Sequence, residues 1–105
     1  MYKVGCDIDG VLTTGFRPPE DDYVIISGRL VSEWAKTVEE LGIGHPIYLR
    51  PFGEHNDPYC AGSWKAGIIS HLGLKVFYED EEIQAEMIRD LNPDCEVIMI
   101  GGKNE

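Results

Sequence analysis

The sequence predicts a single α/β domain: a three-layer α/β/α sandwich around a mostly parallel five-stranded sheet. Three observations support this. Short apolar runs alternate with stretches of helical periodicity along the whole chain. The runs are continuously apolar, as in strands buried on both faces. Strand-helix-strand order needs crossovers, and crossovers make neighbouring strands parallel. At 105 residues, 43% of them hydrophobic, the chain has the material for one core and one domain, residues 1–105.

The elements follow in order. Tyr2 to Ile8 reads as the first strand and Tyr23 to Ile26 as the second. The TTGFRPPEDD stretch between them leaves no room for a crossover helix, so residues 13–22 should make a tight excursion shaped by Gly15 and the Pro18-Pro19 pair. Leu30, Val31, Trp34, Ala35, Val38 and Leu41 recur at helical spacing and are followed by Gly42, a left-handed C-terminal cap. Pro46 to Leu49 is the third strand, and residues 51–62 read as a loop. Ser63 is placed to cap a second helix, whose stripe is Trp64, Ile68, Ile69 and Leu72, ending at Gly73. Val76 to Tyr78 is the fourth strand. Ile83, Met87, Ile88 and Leu91 form a third helical stripe stopped by Asn92-Pro93, and Val97 to Ile100 is the fifth strand.

Composition narrows the functional classes. A net charge of −10 argues against broad binding to nucleic acid backbones, where affinity comes from cations neutralising phosphates. No apolar run approaches the roughly 20 residues that span a bilayer, and the first residues lack a signal-peptide layout, so the expectation is a cytoplasmic protein with no membrane partner. Cys6, Cys60 and Cys95 have no CxxC spacing and read as buried or partly buried thiols rather than a disulfide or zinc framework. His45, His55 and His71 share no metal-ligand spacing, and Trp34 and Trp64 read as core.

The chemistry gathers where the strands end. In such sheets ligands bind beyond the carboxyl ends of the strands, at a reversal of strand order. Asp7 and Asp9 follow the first strand, in CDIDGVL; Ser27, Gly28 and Arg29 follow the second, Arg50 the third, and Glu79 and Asp80 the fourth. Carboxylates crowded on one rim raise each other's pKa unless a counter-charge is present, and oxygen ligands of this kind suit Mg²⁺. Residues i and i+2 of a strand lie about 6.7 Å apart, at roughly 3.3 Å of rise per residue. That gap accepts a phosphoryl group between two carboxylates. With Ser63 as cap, Lys65 falls in the first turn of its helix, where the dipole disfavours a cation, so its placement reads as functional. Four of the nine basic residues, Arg17, Arg29, Arg50 and Lys65, fall on the same rim and favour an anionic substrate, with Arg50 the foremost substrate contact among the arginines.

These residues resemble the motifs of the haloacid dehalogenase superfamily. DIDGVL at 7–12 looks like its first motif in the form shared by the phosphatases, Ser27 in VIISGR resembles the second, Lys65 the third, and Glu79-Asp80 the paired-acid form of the fourth. The resemblance covers nearly the whole chain. It implies a Rossmann-like sheet of that superfamily's type. It also implies a Mg²⁺-dependent phosphatase in which Asp7 is the nucleophile and Asp9 the general acid and base. Ser27 and Gly28 would bind the phosphoryl group and Lys65 would neutralise it. Mg²⁺ would be held by Asp7, the Asp9 backbone carbonyl and Asp80, with Glu79 acting through water.

Two features depart from the common pattern. The chain is too short for a cap domain, which implies a minimal capless member whose open site takes a bulky substrate or is covered by a second copy in a homo-oligomer. Glu also stands at position 79, where Asp is commoner. A nucleotide, a phosphosugar or a macromolecular phosphate end all suit as the phosphorylated substrate. The alternative is a module that binds phosphate esters or proteins and turns over weakly or not at all. A phosphorylatable receiver domain would need an aspartate at the end of the third strand, where this chain has Tyr48-Leu49-Arg50-Pro51.

Overall fold

The structure, a computed structural model, describes residues 2–42, 44–52 and 57–101. Five strands form one all-parallel sheet: β1 (Val4–Cys6), β2 (Val24–Leu30), β3 (Ile47–Arg50), β4 (Val76–Glu79) and β5 (Glu96–Met99), in the spatial order β3-β2-β1-β4-β5. Three helices accompany them: α1 (Trp34–Leu41), α2 (Pro58–Leu72) and α3 (Glu82–Leu91). The Rossmann-like order means that the chain builds outward from β1 through β2 to β3, then returns to lay β4 on the other side of β1. The reversal lies between β1 and β4, where such sheets bind ligands.

Side-chain alternation divides the core in two. Val24, Ile26, Phe77 and Val97 face α2 and α3 and pack with Ala66, Ile69, Ala85 and Ile88. Val4, Cys6, Ile25 and Tyr78 face the other way. That second face is covered less by helix than the sequence suggests. Its cover is Leu41 at the end of α1 together with the excursion between β1 and β2, which contributes Ile8, Val11, Leu12 and Phe16. The excursion is tight, as expected: a 3₁₀ turn at Leu12–Thr14 ends on Gly15 at φ 94°, and the Phe16 ring lies 5.0 Å from that of Tyr78.

Several boundaries differ from the sequence reading. β1 ends at Cys6, although the Asp7 amide still donates to the Tyr78 carbonyl at 3.1 Å. β2 runs on through Ser27, Gly28 and Arg29, with a register shift against β3 between Ser27 and Leu30. A 3₁₀ turn, Val31–Glu33, then precedes α1. α2 starts at Pro58 with Asp57 as its cap, accepting from the amides of Tyr59 and Cys60, so Ser63 is not the cap and Lys65 is not in the first turn. Proline at the first helical position costs no hydrogen bond, which makes Asp57-Pro58 the stronger start signal. Residues 53–56 of the predicted 51–62 loop, His55 among them, lie outside the described residues.

Trp34 is exposed rather than core; Thr37 is the fully buried residue of α1. Trp64 is partly buried against the α2-α3 core. Cys6 and Cys95 are buried and burial pushes their thiols up, to about 12 and about 11, whereas Cys60 is exposed. His45 stacks on Tyr23 with ring centroids 3.8 Å apart. Among the described residues no helix is long and apolar enough to cross a membrane.

Candidate functional site

A cleft of about 950 Å³ opens over the carboxyl ends of β1, β2 and β4. Asp7, Asp9, Ser27, Gly28, Arg50, Lys65 and Asp80 all line it, drawn together from five elements or their flanks. Arg17 lies outside it, its guanidinium donating to the carbonyls of Leu12 and Phe16, so three rather than four of the predicted rim cations reach the cleft.

The centre is a buried ion triad. Alternation past Cys6 and past Tyr78 points Asp7 and Glu79 toward the helix layer, and Lys65 descends from the middle of α2 to meet them. Its Nζ lies 3.0 Å from Asp7 Oδ2 and 2.9 Å from Glu79 Oε1. Lys65 is 1% exposed and Glu79 fully buried, which explains why a lysine is tolerated there: it answers two carboxylates that would otherwise be buried without a counter-charge. Glu79 is thus a direct partner of Lys65. Its Oε2 accepts from the amides of Asp80 and Glu81, leaving the group little freedom.

Asp7 is the most perturbed acid. Burial pushes its carboxyl up to about 7, against the pull of Lys65 and with the help of Glu79's negative charge. Asp80 is also raised, first by burial and then by the charge of Asp7. An oxygen from each of Asp7, Glu79 and Asp80 lies within 4.8 Å of the others. Such a set fits a hard divalent cation, which would relieve the mutual repulsion that adds to burial in raising both aspartates. The donor set also ranks itself. Glu79 Oε2 accepts from two amides and Oε1 faces Lys65, whereas each Asp7 oxygen meets a single protein donor, so Asp7 and Asp80 are the better inner ligands.

Gly10 completes this geometry. It sits at φ 83°, and a Cβ built there would overlap the Asp80 carboxylate. Gly10→Ala is therefore expected to lower stability by about 1–3 kcal/mol through left-handed strain plus displacement of Asp80. Gly15, at φ 94° with nothing within 4 Å of an added Cβ, supplies the control. Melting temperatures should fall further for Gly10→Ala than for Gly15→Ala.

The raised Asp7 has a consequence for stability. Its unfolded value is 3.8 and its folded value about 7, so between these the unfolded chain releases a proton that the fold retains. Stability of the metal-free protein should fall as pH rises from about 4 to about 7 and level off above that. Asp9, held low by Arg29, and Asp57, held low by its contacts with Cys60, act oppositely, their contribution being lost as pH drops below about 4. Urea unfolding in chelator at pH 5 and pH 7.5 checks this: the wild type should lose stability between the two, and Asp7→Asn should lose much less.

The other wall is polar. Ser27 is 1% exposed and its Oγ accepts from the Arg29 amide at 3.1 Å, so it shapes the β2 bulge and does not cap a helix. Gly28 allows close approach of α2, since a Cβ there would stand 3.1 Å from that of Ala61. Arg50 is buried, with Nε donating to the Gly28 carbonyl at 3.2 Å. Asp9 is exposed and gripped by Arg29, with Nη2 to Oδ1 at 2.8 Å and Nε to Oδ2 at 3.0 Å. Sequence reading did not single out Lys36, Glu40 or Gln84, which also line the cleft. They lie on helix faces, where a charged or amide residue carries no signal of what it faces. No protein-family model, curated protein or solved structure matches the chain.

Proposed function

We propose that this chain is a Mg²⁺-dependent phosphomonoester hydrolase working through an aspartyl-phosphate on Asp7, a minimal capless domain of the haloacid dehalogenase type. One observation carries the reading: Lys65, buried in the middle of a helix, meets Asp7 at 3.0 Å beside Asp80, at the strand-order reversal. A solely structural lysine has no need of a rim with a second, metal-suited carboxylate.

In this mechanism Asp7 attacks phosphorus and the ester oxygen leaves. Water then cleaves the acyl phosphate, regenerating Asp7 and releasing inorganic phosphate. Asp7 is pre-aimed: its Oδ1 accepts from the Ile8 amide at 2.7 Å and its Oδ2 is held by Lys65. Lys65 supplies fixed positive charge in a dry setting, where it stabilises charge developing on the phosphoryl oxygens most effectively. Asp9 would protonate the leaving oxygen and then deprotonate water. Mg²⁺, held by Asp7, the Asp9 backbone carbonyl and Asp80, with Glu79 in its outer shell, would offset the phosphate's charge. The cleft is wider than a phosphate needs, which suits a nucleotide, a phosphosugar or a macromolecular phosphate end.

Phosphate release from p-nitrophenyl phosphate and a panel of phosphate esters should require Mg²⁺ and stop in chelator. One observation favours the second reading, a phosphate-binding module with little turnover: both Asp9 oxygens are occupied by Arg29, which opposes their use as a proton donor. A stable beryllofluoride adduct on Asp7 with no turnover across the panel would support that reading instead.

A further inference from the structure

Every edge of the Arg29 guanidinium is engaged, and its two sides are held very differently. At the back, Nη1 donates to Thr37 Oγ1 at 3.2 Å and to Glu40 Oε1 at 3.0 Å. Thr37 is fully buried, so this side is anchored to α1. At the front, Nε and Nη2 grip Asp9, whose side chain is 64% exposed, and Nη2 also lies 3.5 Å from Glu40 Oε2. Water reaches the carboxylate side of this pair, so an anion from solution can compete with Asp9 for the fork. The β2 bulge between Ser27 and Leu30 is what turns Arg29 toward the cleft, a common use of bulges beside functional sites.

The best replacement for a carboxylate on an arginine fork is a phosphate, which accepts the same two parallel N–H bonds with more charge. Resting on the phosphatase reading above, we propose that the front edge of Arg29 is a second-phosphate site: a substrate bearing another phosphate on its leaving group takes Nε and Nη2 from Asp9. The exchange frees both Asp9 oxygens to face the scissile bond. The preferred substrates are then bisphosphates, and the clamp keeps Asp9 occupied until one of them arrives. Lys36, one helical turn from Glu40, lines the same cleft, as do the carboxylates of Glu33 and Glu40. Cleft volume permits the exchange, since about 950 Å³ holds far more than one phosphate.

The test compares a hexose 1,6-bisphosphate with the hexose 6-monophosphate, by kcat/KM with Mg²⁺ and by calorimetric binding to the Asp7→Asn protein. The wild type should favour the bisphosphate by at least about tenfold in kcat/KM, and Asp7→Asn should favour it similarly in binding. Arg29→Gln should bring both ratios near one, and Arg29→Lys, folded and still cationic but lacking the fork, should retain only part of them. A wild type that does not discriminate, or an Arg29→Gln protein that discriminates as well as the wild type, overturns the proposal. Mg²⁺-dependent turnover without bisphosphate preference would defeat this site and leave the phosphatase reading standing. Arg29-dependent preference in binding without turnover would do the reverse.

Discussion

Asp7→Asn is expected to end Mg²⁺-dependent phosphate release, lowering kcat by at least about 10³-fold while the protein stays folded. The amide keeps the shape of the carboxylate but is a poor nucleophile, and it also removes a charged ligand from the acidic set. Folding should survive because Lys65 still has Glu79 at 2.9 Å. In metal-free buffer at neutral pH the variant should melt no lower than the wild type, since the carboxyl that burial holds near 7 is gone. Activity and melting temperature measured on one preparation thus separate chemistry from stability. Activity that persists in folded Asp7→Asn removes the aspartyl-phosphate mechanism.

Lys65→Met should have the largest effect on the fold. Methionine fills similar volume but leaves Asp7 and Glu79 facing each other in a buried setting with no cation, and breaking one side of a buried pair typically costs about 3–5 kcal/mol. For a domain of this size that is a drop of at least about 12 °C in melting temperature. The penalty should shrink at low pH, where Asp7 accepts a proton. Combining it with Glu79→Gln should recover part of the loss, because the pair share one network and their effects do not add. Differential scanning calorimetry of the four proteins of this cycle at pH 5 and pH 7.5 reads it directly. A Lys65→Met midpoint equal to the wild type's would mean that the triad is not an ionic unit.

How much of this could be read from residues alone varies with how local the cause is. All five strands were legible, because each is a short apolar run between breakers. Asp7, Ser27, Gly28, Arg50, Lys65 and Asp80 were recognised as one group because each lies near a strand end or a motif, and the fold brings them to one cleft. The start of α2 was misread because its first two turns bury small residues, Ala61 and Gly62, and show no large apolar stripe. Those turns pass over the cleft and against α3, where a Cβ on Gly62 would stand 3.1 Å from Gln84 Cα. α1 was misread for a different reason. Its apolar periodicity points Trp34 and Val38 inward, yet both are exposed and it is Thr37 that is buried, where it and Glu40 meet Arg29 of β2. Periodicity sees neighbours along the helix; it does not see a guanidinium on another element. The ion pair of Glu79 with Lys65 is not legible in the sequence, because it exists only once β4 and α2 are packed.

The central position of β1 also bears on how the chain reaches this state. Three residues long, β1 is flanked by β2, which follows it soon, and by β4, which is synthesised only after most of the protein has been made. Asp7 and Glu79 stand at the ends of β1 and β4, so their meeting on Lys65 depends on the pairing of those two strands. Closure of the gap between them joins segments far apart in sequence, the kind of contact that slows folding. The meeting of Asp7, Lys65 and Glu79 and the completion of the sheet are therefore tied to one pairing, that of β1 with β4.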